Sequence, residues 1–313
     1  MYDMSNEIVQ PQVDCSSAEE FISALSPLGM YFSDLPLTEN WLFRGQGKDY
    51  PLIPSLFRKD KSGNYQLPTL LATSSFRELR LAEWDILVRF FEIADKRGLI
   101  LPDDSQELRA TLETIRSERG KSTIQEGHDD GGSLKRALSL VALAQHNGVP
   151  TRLLDWTRLP FVAAFFAGES AVRTLRNENS QVSMVVWGLY FPDLGKQDSI
   201  LHFNYPLTLV TAPSATNANL RAQQGIFTLL SPSYSGESEG DYFPLDEALR
   251  HEHIPRILPG VKLRKFTLPL SEADRLLFLL AKIDITPSAI YPGYHSIIDD
   301  LTMQSRPAWA DWV

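Results

Sequence analysis

Residues 181–191 read QVSMVVWGLYF, so Val182, Met184, Val185, Val186, Trp187, Leu189 and Tyr190 make the stretch almost continuously apolar. A strand with one wet face alternates apolar and polar residues, whereas an unbroken apolar run is expected of a strand covered on both faces. A fold built round such a strand must bury a sizeable core. With 313 residues and 43% hydrophobic content, the chain is long and apolar enough to do so. That length suits one large or two ordinary domains.

Helical signals dominate the first half. Ser17 and Glu20 have capping-box spacing and open a short helix with Phe21, Ile22 and Leu25 as its apolar face. Trp41-Leu42-Phe43-Arg44 reads as a short strand that breaks at Gly45 and Gly47. Pro51, Pro54 and Pro68 then keep the chain extended or looped. Residues 75–97 turn helical, with Leu79, Trp84, Leu87, Val88, Phe91 and Ile93 as a broad stripe, and 105–116 predict a second helix. Residues 117–133 are polar and glycine-rich and read as an insertion within one domain. A helix over 134–146 ends at Gly148 and Pro150. An extended piece follows over 151–156, and Pro160 suits the first turn of a helix running to about residue 176.

Further strands are expected over 207–211, 226–230 and 263–268, with a loop over 231–241 and an amphipathic helix over 271–283. Helices early and strands late favour an α+β fold, a helical N-terminal half packed on a mixed or antiparallel sheet. Residues 1–16 are expected to be a flexible tail and 17–313 a single domain.

Several function classes lose support. One cysteine, Cys15, cannot form an internal disulfide. Residues 1–14 lack an apolar h-region and no run reaches membrane-spanning length, so a cytoplasmic, membrane-free protein is expected. A net charge of −9 argues against nonspecific phosphate-backbone binding, while leaving room for a local basic face built from Arg152, Arg158, Arg173 and Arg176. No zinc pattern, P-loop, dinucleotide fingerprint or nucleophile elbow is present, and His251 and His253 read as solvated, so no metal is expected.

Three local features can carry chemistry. Arg44, at a strand end beside two glycines, can present its planar fork to a phosphate or carboxylate; equally, it can pair with an internal carboxylate. Residues 145–157, QHNGVPTRLLDWT, crowd polar groups between two apolar helices. Asp155 would accept, Thr157 donate or accept, Trp156 stack and His146 titrate near neutrality. The structural alternative is a hydrogen-bonded turn in which Asp155 bonds backbone amides or Arg44. Gln223, within NLRAQQGIF over 219–227, can orient a ribose hydroxyl or base edge, or serve structure alone.

These pieces together resemble the FRG domain family. Its aromatic-Arg-Gly-Gln element and proline-containing extension match Phe43-Arg44-Gly45-Gln46 and Tyr50 through Leu56. Its Gln-His-x-Gly-x-Pro-Thr-Arg-Leu-Leu-Asp-Trp-Thr block matches Gln145 through Thr157, before a proline-started helix at Pro160 through Ala167. Gln223-Gln224-Gly225-Ile226-Phe227 resembles a third element. Leu276 to Leu280 with Tyr291-Pro292 is similar to the closing one.

The layout is similar to that of a distant ADP-ribosyltransferase, and the resemblance implies an NAD-using effector. Its catalytic set would be Arg44, Asp155, Thr157 and Gln223. Arg44, Gly45, Gln46, His146, Thr151, Arg152, Trp156 and Gln223 would hold NAD: Arg44 and Arg152 on the phosphates, Trp156 stacked on a base, Gln223 on a ribose. Asp155 would be the electrostatic stabiliser. Gly225 departs from the pattern where a glutamate is wanted, as does Asn219 where many members are basic; no Asp or Glu lies between Thr211 and Ser231. The family context implies a toxin or phage-defence component acting on protein, RNA or DNA, with an antitoxin or chaperone compatible as partner. The alternatives are a non-catalytic nucleotide-sensing or protein-interaction module, and a nucleic-acid-binding module.

Overall fold

The computed structural model describes residues 8–32, 40–65, 67, 75–117, 132–175, 182–192, 206–212, 217–231, 242–250 and 254–305. The fold is α+β. Seven strands form one mixed sheet: β1 (Val13–Asp14), β2 (Trp41–Gln46), β3 (Leu154–Thr157), β4 (Ser183–Tyr190), β5 (Leu207–Val210), β6 (Gly225–Leu230) and β7 (Lys262–Pro269), in the order β1-β7-β4-β2-β3-β6-β5. β1 runs parallel to β7; the other neighbours are antiparallel. The unbroken apolar run becomes β4. It lies inside the sheet between β7 and β2 and is buried from Met184 to Tyr190, as a doubly covered strand requires.

One face is covered by α1 (Ala18–Leu25), α5 (Pro160–Leu175) and α9 (Ala273–Ala281). Phe21 and Leu25, Ala163 and Phe165, and Leu276 and Leu277 meet Trp41, Phe43, Val186 and Phe266 there. The opposite face buries Leu42, Trp187, Leu154, Trp156 and Ile226 under Leu52 and the short helix α7 (Leu245–Ala248). The helical half, α2 (Phe76–Lys96), α3 (Gln106–Ser117) and α4 (Gly132–His146), packs on Leu153, Val210, Phe227 and Leu229 at the β3-β6-β5 end.

Caps explain the boundaries. Ser75 forms a full capping box with Glu78 at the start of α2. Ser17 caps α1 by accepting from the Glu20 amide, but the Glu20 carboxylate turns to Ser16 instead. α4 ends where Gly148 takes φ +87°, and the Val149 amide returns to the Ala144 carbonyl.

Two expectations change. The segment before residue 17 is not a loose tail over its described part. Val13 and Asp14 pair with Phe266 and Thr267, Ile8 and Cys15 are buried, and the Gln10 amide donates to Leu263. β2 does not break at Gly45: it continues to Gln46 because β4 pairs with it throughout, Gly45 opposite Val186 and Gln46 opposite Val185. Most of the polar insertion (118–131) and of the later loop (232–241), together with His251 and His253, lies outside the described residues.

The sheet has one weak seam. β2 pairs with β4 from Trp41 to Gln46, and β3 pairs with β6 from Leu154 to Thr157. β2 and β3 share a single registered pair, Phe43 with Thr157. The residues that follow Phe43 and precede Thr157 lie on either side of this seam, with no further registered pair between them among the described residues.

Candidate functional site

Arg44 follows Phe43 directly and crosses the seam. Its Nη1 donates to the Asp155 backbone carbonyl and to Oδ2 of the Asp155 carboxylate, each at 2.7 Å. Both bonds come from one nitrogen. The Nε of Arg44 is buried and has no hydrogen-bond partner among the described residues. The guanidinium side chain is 11% exposed and that of Asp155 56% exposed, so the ion pair is rooted inside and opens to solvent on the carboxylate side.

Sequence reasoning passed over Arg58. Its Nε donates to the Ile53 carbonyl at 2.7 Å, and it lies within the electrostatic reach of Arg44 and Asp155. Burial holds its pKa below the usual arginine range; the positive Arg44 lowers it further and Asp155 opposes. Its closeness to the pair depends on the path of the proline-rich segment 51–54, which no local pattern reveals. His146, at the end of α4, is half-buried with Nε2 3.3 Å from Asn219 Nδ2. Burial lowers its pKa while the Asp155 charge partly restores it. Arg44, Arg58, Asp155 and His146 therefore share one electrostatic neighbourhood. Its two guanidiniums against one carboxylate leave surplus positive charge.

The other expected residues serve the scaffold. Trp156 is 3% exposed and its Nε1 donates to Thr228 at 2.9 Å, so its ring is core rather than a stacking platform. Arg152 is buried against Glu83: its amide reaches Oε1 at 2.8 Å and its Nε reaches Oε2 at 2.5 Å. A buried arginine committed in this way is not presented to a phosphate. Thr151 is buried, bonded to Gln145 and, through its amide at 3.1 Å, to Ser55. Gln46 accepts from the Trp187 indole at 3.2 Å. Gly45 faces α5, not a ligand (a β-carbon there would lie 1.8 Å from the Ala163 carbonyl oxygen).

Thr157 is buried, donating to the Gln223 carbonyl at 2.5 Å and accepting from the Leu159 amide at 3.0 Å. Gln223 is half-buried and its side-chain amide donates to Ile290 at 3.3 Å, so the QQG element is tied to the end of β3. Gln224 takes φ +45°, and a β-carbon at Gly225 would meet Leu220 Cδ1 at 2.5 Å. Leu220 thus fills the space that a side chain at 225 would need. Of the basic face considered above, Arg152 is internal and Arg173 pairs with Glu169 at 2.7 Å, while Arg176 lies outside the described residues.

The family model for the FRG domain matches residues 39–174. This segment is an FRG domain. No curated protein and no solved structure matches the chain. The matched FRG domain holds Arg44, Arg58, His146 and Asp155 but only two strands of the sheet, β2 and β3. Their outer partners, β4 and β6, follow the matched segment, as does Gln223. Among the described residues, no group of three or more His, Cys, Asp or Glu is placed to hold a metal ion, and no helix is long and apolar enough to cross a membrane.

Proposed function

We propose that the seam between β2 and β3 of the FRG domain binds NAD and that the protein transfers ADP-ribose from it to a macromolecular acceptor. The observation that carries this reading is Arg44 held at the seam against Asp155, with its guanidinium rooted inside and the carboxylate open to solvent; Arg58 adds positive charge within their electrostatic reach. Guanidiniums suit the diphosphate, which they meet through charge-assisted hydrogen bonds. The buried Nε of Arg44, without a partner among the described residues, is a donor that such an anion would satisfy.

Transfer breaks the bond between nicotinamide and ribose C1′, builds positive charge on the ribose, and forms a bond from C1′ to the acceptor nucleophile. A half-exposed carboxylate beside the arginines can stabilise that charge, so Asp155 takes the role the missing glutamate would have had. Gln223 and Thr157 position the neighbouring backbone, with no direct part in bond breaking.

Label transfer from radiolabelled NAD to lysate acceptors tests the proposal. Wild type should transfer, and Arg44→Ala and Asp155→Asn, both folded by circular dichroism, should lose at least tenfold. Folded, NAD-bound protein that neither transfers label nor releases nicotinamide would sink it. A second reading, nucleotide binding without turnover, is favoured by Leu220 filling the space at Gly225, and predicts that last outcome.

A further inference from the structure

Arg44 makes two bonds to Asp155 that differ in kind. The carbonyl belongs to β3 and is fixed by the pairing of Asp155 with Phe227. The carboxylate stands on a side chain 56% exposed, free to rotate into solvent. Nη1 can therefore lose the carboxylate and keep the carbonyl, so Arg44 stays anchored when Asp155 leaves. A carboxylate and a phosphate compete for the same guanidinium. With Asp155 in place, the cluster of Arg44, Arg58 and Asp155 carries one surplus positive charge. With Asp155 turned away, it carries two, matching the two charges of a dinucleotide diphosphate.

We infer that Asp155 is a built-in competitor for the anion seat on Arg44, that Arg58 is the second guanidinium of that seat, and that a diphosphate must displace the Asp155 carboxylate to bind. The inference rests on the NAD reading for the identity of the ligand; the seat rests on the geometry of Arg44 against Asp155, with Arg58 in the electrostatic field of both. It also links binding to chemistry: the anion that takes Arg44 releases the one carboxylate proposed to act on the ribose. The protein without ligand holds that carboxylate engaged.

The test is calorimetry of the full chain with inorganic pyrophosphate, and separately with NAD, for wild type, Asp155→Asn, Asp155→Glu and Arg58→Gln, each checked by circular dichroism. Asp155→Asn, which retains a neutral acceptor, should bind pyrophosphate roughly three- to tenfold more tightly than wild type, the scale of one partly exposed ion pair. Asp155→Glu should bind within about twofold of wild type, and Arg58→Gln should lose roughly tenfold. Pyrophosphate binding unchanged in Asp155→Asn, tightened equally in Asp155→Glu, unaffected in Arg58→Gln, or absent throughout would each overturn the inference. Should Asp155→Asn not fold, the Arg58→Gln arm still decides. Tighter pyrophosphate binding without NAD binding in any variant supports the seat while removing the NAD reading, so the two failures are distinguishable.

Discussion

The carbonyl oxygen of Ala163 sits where a β-carbon on Gly45 would be, 1.8 Å from its ideal position. The glycine of the Phe-Arg-Gly element is therefore a packing requirement: α5 lies directly on β2, backbone against backbone. Gly47 meets the same helix, its absent β-carbon close to the Ser170 hydroxyl and 2.6 Å from the Ala171 amide nitrogen. At both glycines a backbone atom of the helix, which cannot swing away, stands in the way. Gly45→Ala should cost about 3 kcal/mol or more, at the upper end of overpacking effects. Urea unfolding followed by circular dichroism checks this, and a variant as stable as wild type would mean that α5 is not seated as described.

Glu83 and Arg152 form a second relationship, in which an arginine expected on the NAD phosphates is held by a carboxylate of the helical half. Glu83 lies in α2 and is fully buried, and its carboxylate takes both the amide and the Nε of Arg152. Removing the Arg152 side chain takes the Nε donor and its charge from a carboxylate that lies fully inside the protein. Arg152→Ala should destabilise by about 3–5 kcal/mol. Equilibrium denaturation reads this directly. A stability loss under about 1 kcal/mol, combined with weakened anion binding, would return Arg152 to the site.

His146 gives a pH signature. Its folded pKa lies below the ordinary histidine value of about 6.5 because burial disfavours the imidazolium, with Asp155 pulling the other way. The unfolded chain then takes up the proton first. His146's contribution to stability is complete above the ordinary value and falls as pH drops from there to the lowered folded value. His146→Gln should flatten that part of the stability–pH curve. Asp155→Asn should lower the His146 pKa further, because it removes the opposing charge. NMR titration of the ring resonances checks both, and a His146 pKa that rises in Asp155→Asn would contradict the described neighbourhood.

Most elements were legible because each is set by local rules. The unbroken apolar run marked β4 as internal, the apolar stripe beginning near residue 75 marked the start of α2, and Pro160 and Gly148 marked the ends of their helices. Contacts between distant segments were not legible. The strand near Val13 forms because Phe266 and Thr267 offer it an edge, and nothing within residues 8–15 announces that. The pairing of Arg44 with Asp155, across 111 positions, was the exception, because the sequence reading names it as the structural alternative to a ligand site. Arg58 could not be singled out, because its place depends on the path of the loop before it. The burial of Trp156 has a reason the sequence did contain: along a strand, alternate residues share a face, so Trp156 follows Leu154 into the core and Asp155 takes the other side.

That alternation leads to a prediction on Trp156 itself. Its indole Nε1 donates to the hydroxyl of Thr228, and both residues are almost fully buried. Trp156→Phe keeps an aromatic ring in the core but removes the donor and part of the volume. The Thr228 hydroxyl then loses its partner away from water, a change worth about 1–3 kcal/mol. Because the ring faces the core under Leu52 and α7 rather than the seam, NAD affinity per folded molecule should stay within about twofold of wild type, a shift under half a kcal/mol. Denaturation and NAD titration of the same variant separate the two roles. A stable Trp156→Phe protein with an NAD affinity reduced tenfold would make the ring a ligand contact after all, and would require β3 to present its other face to the nucleotide.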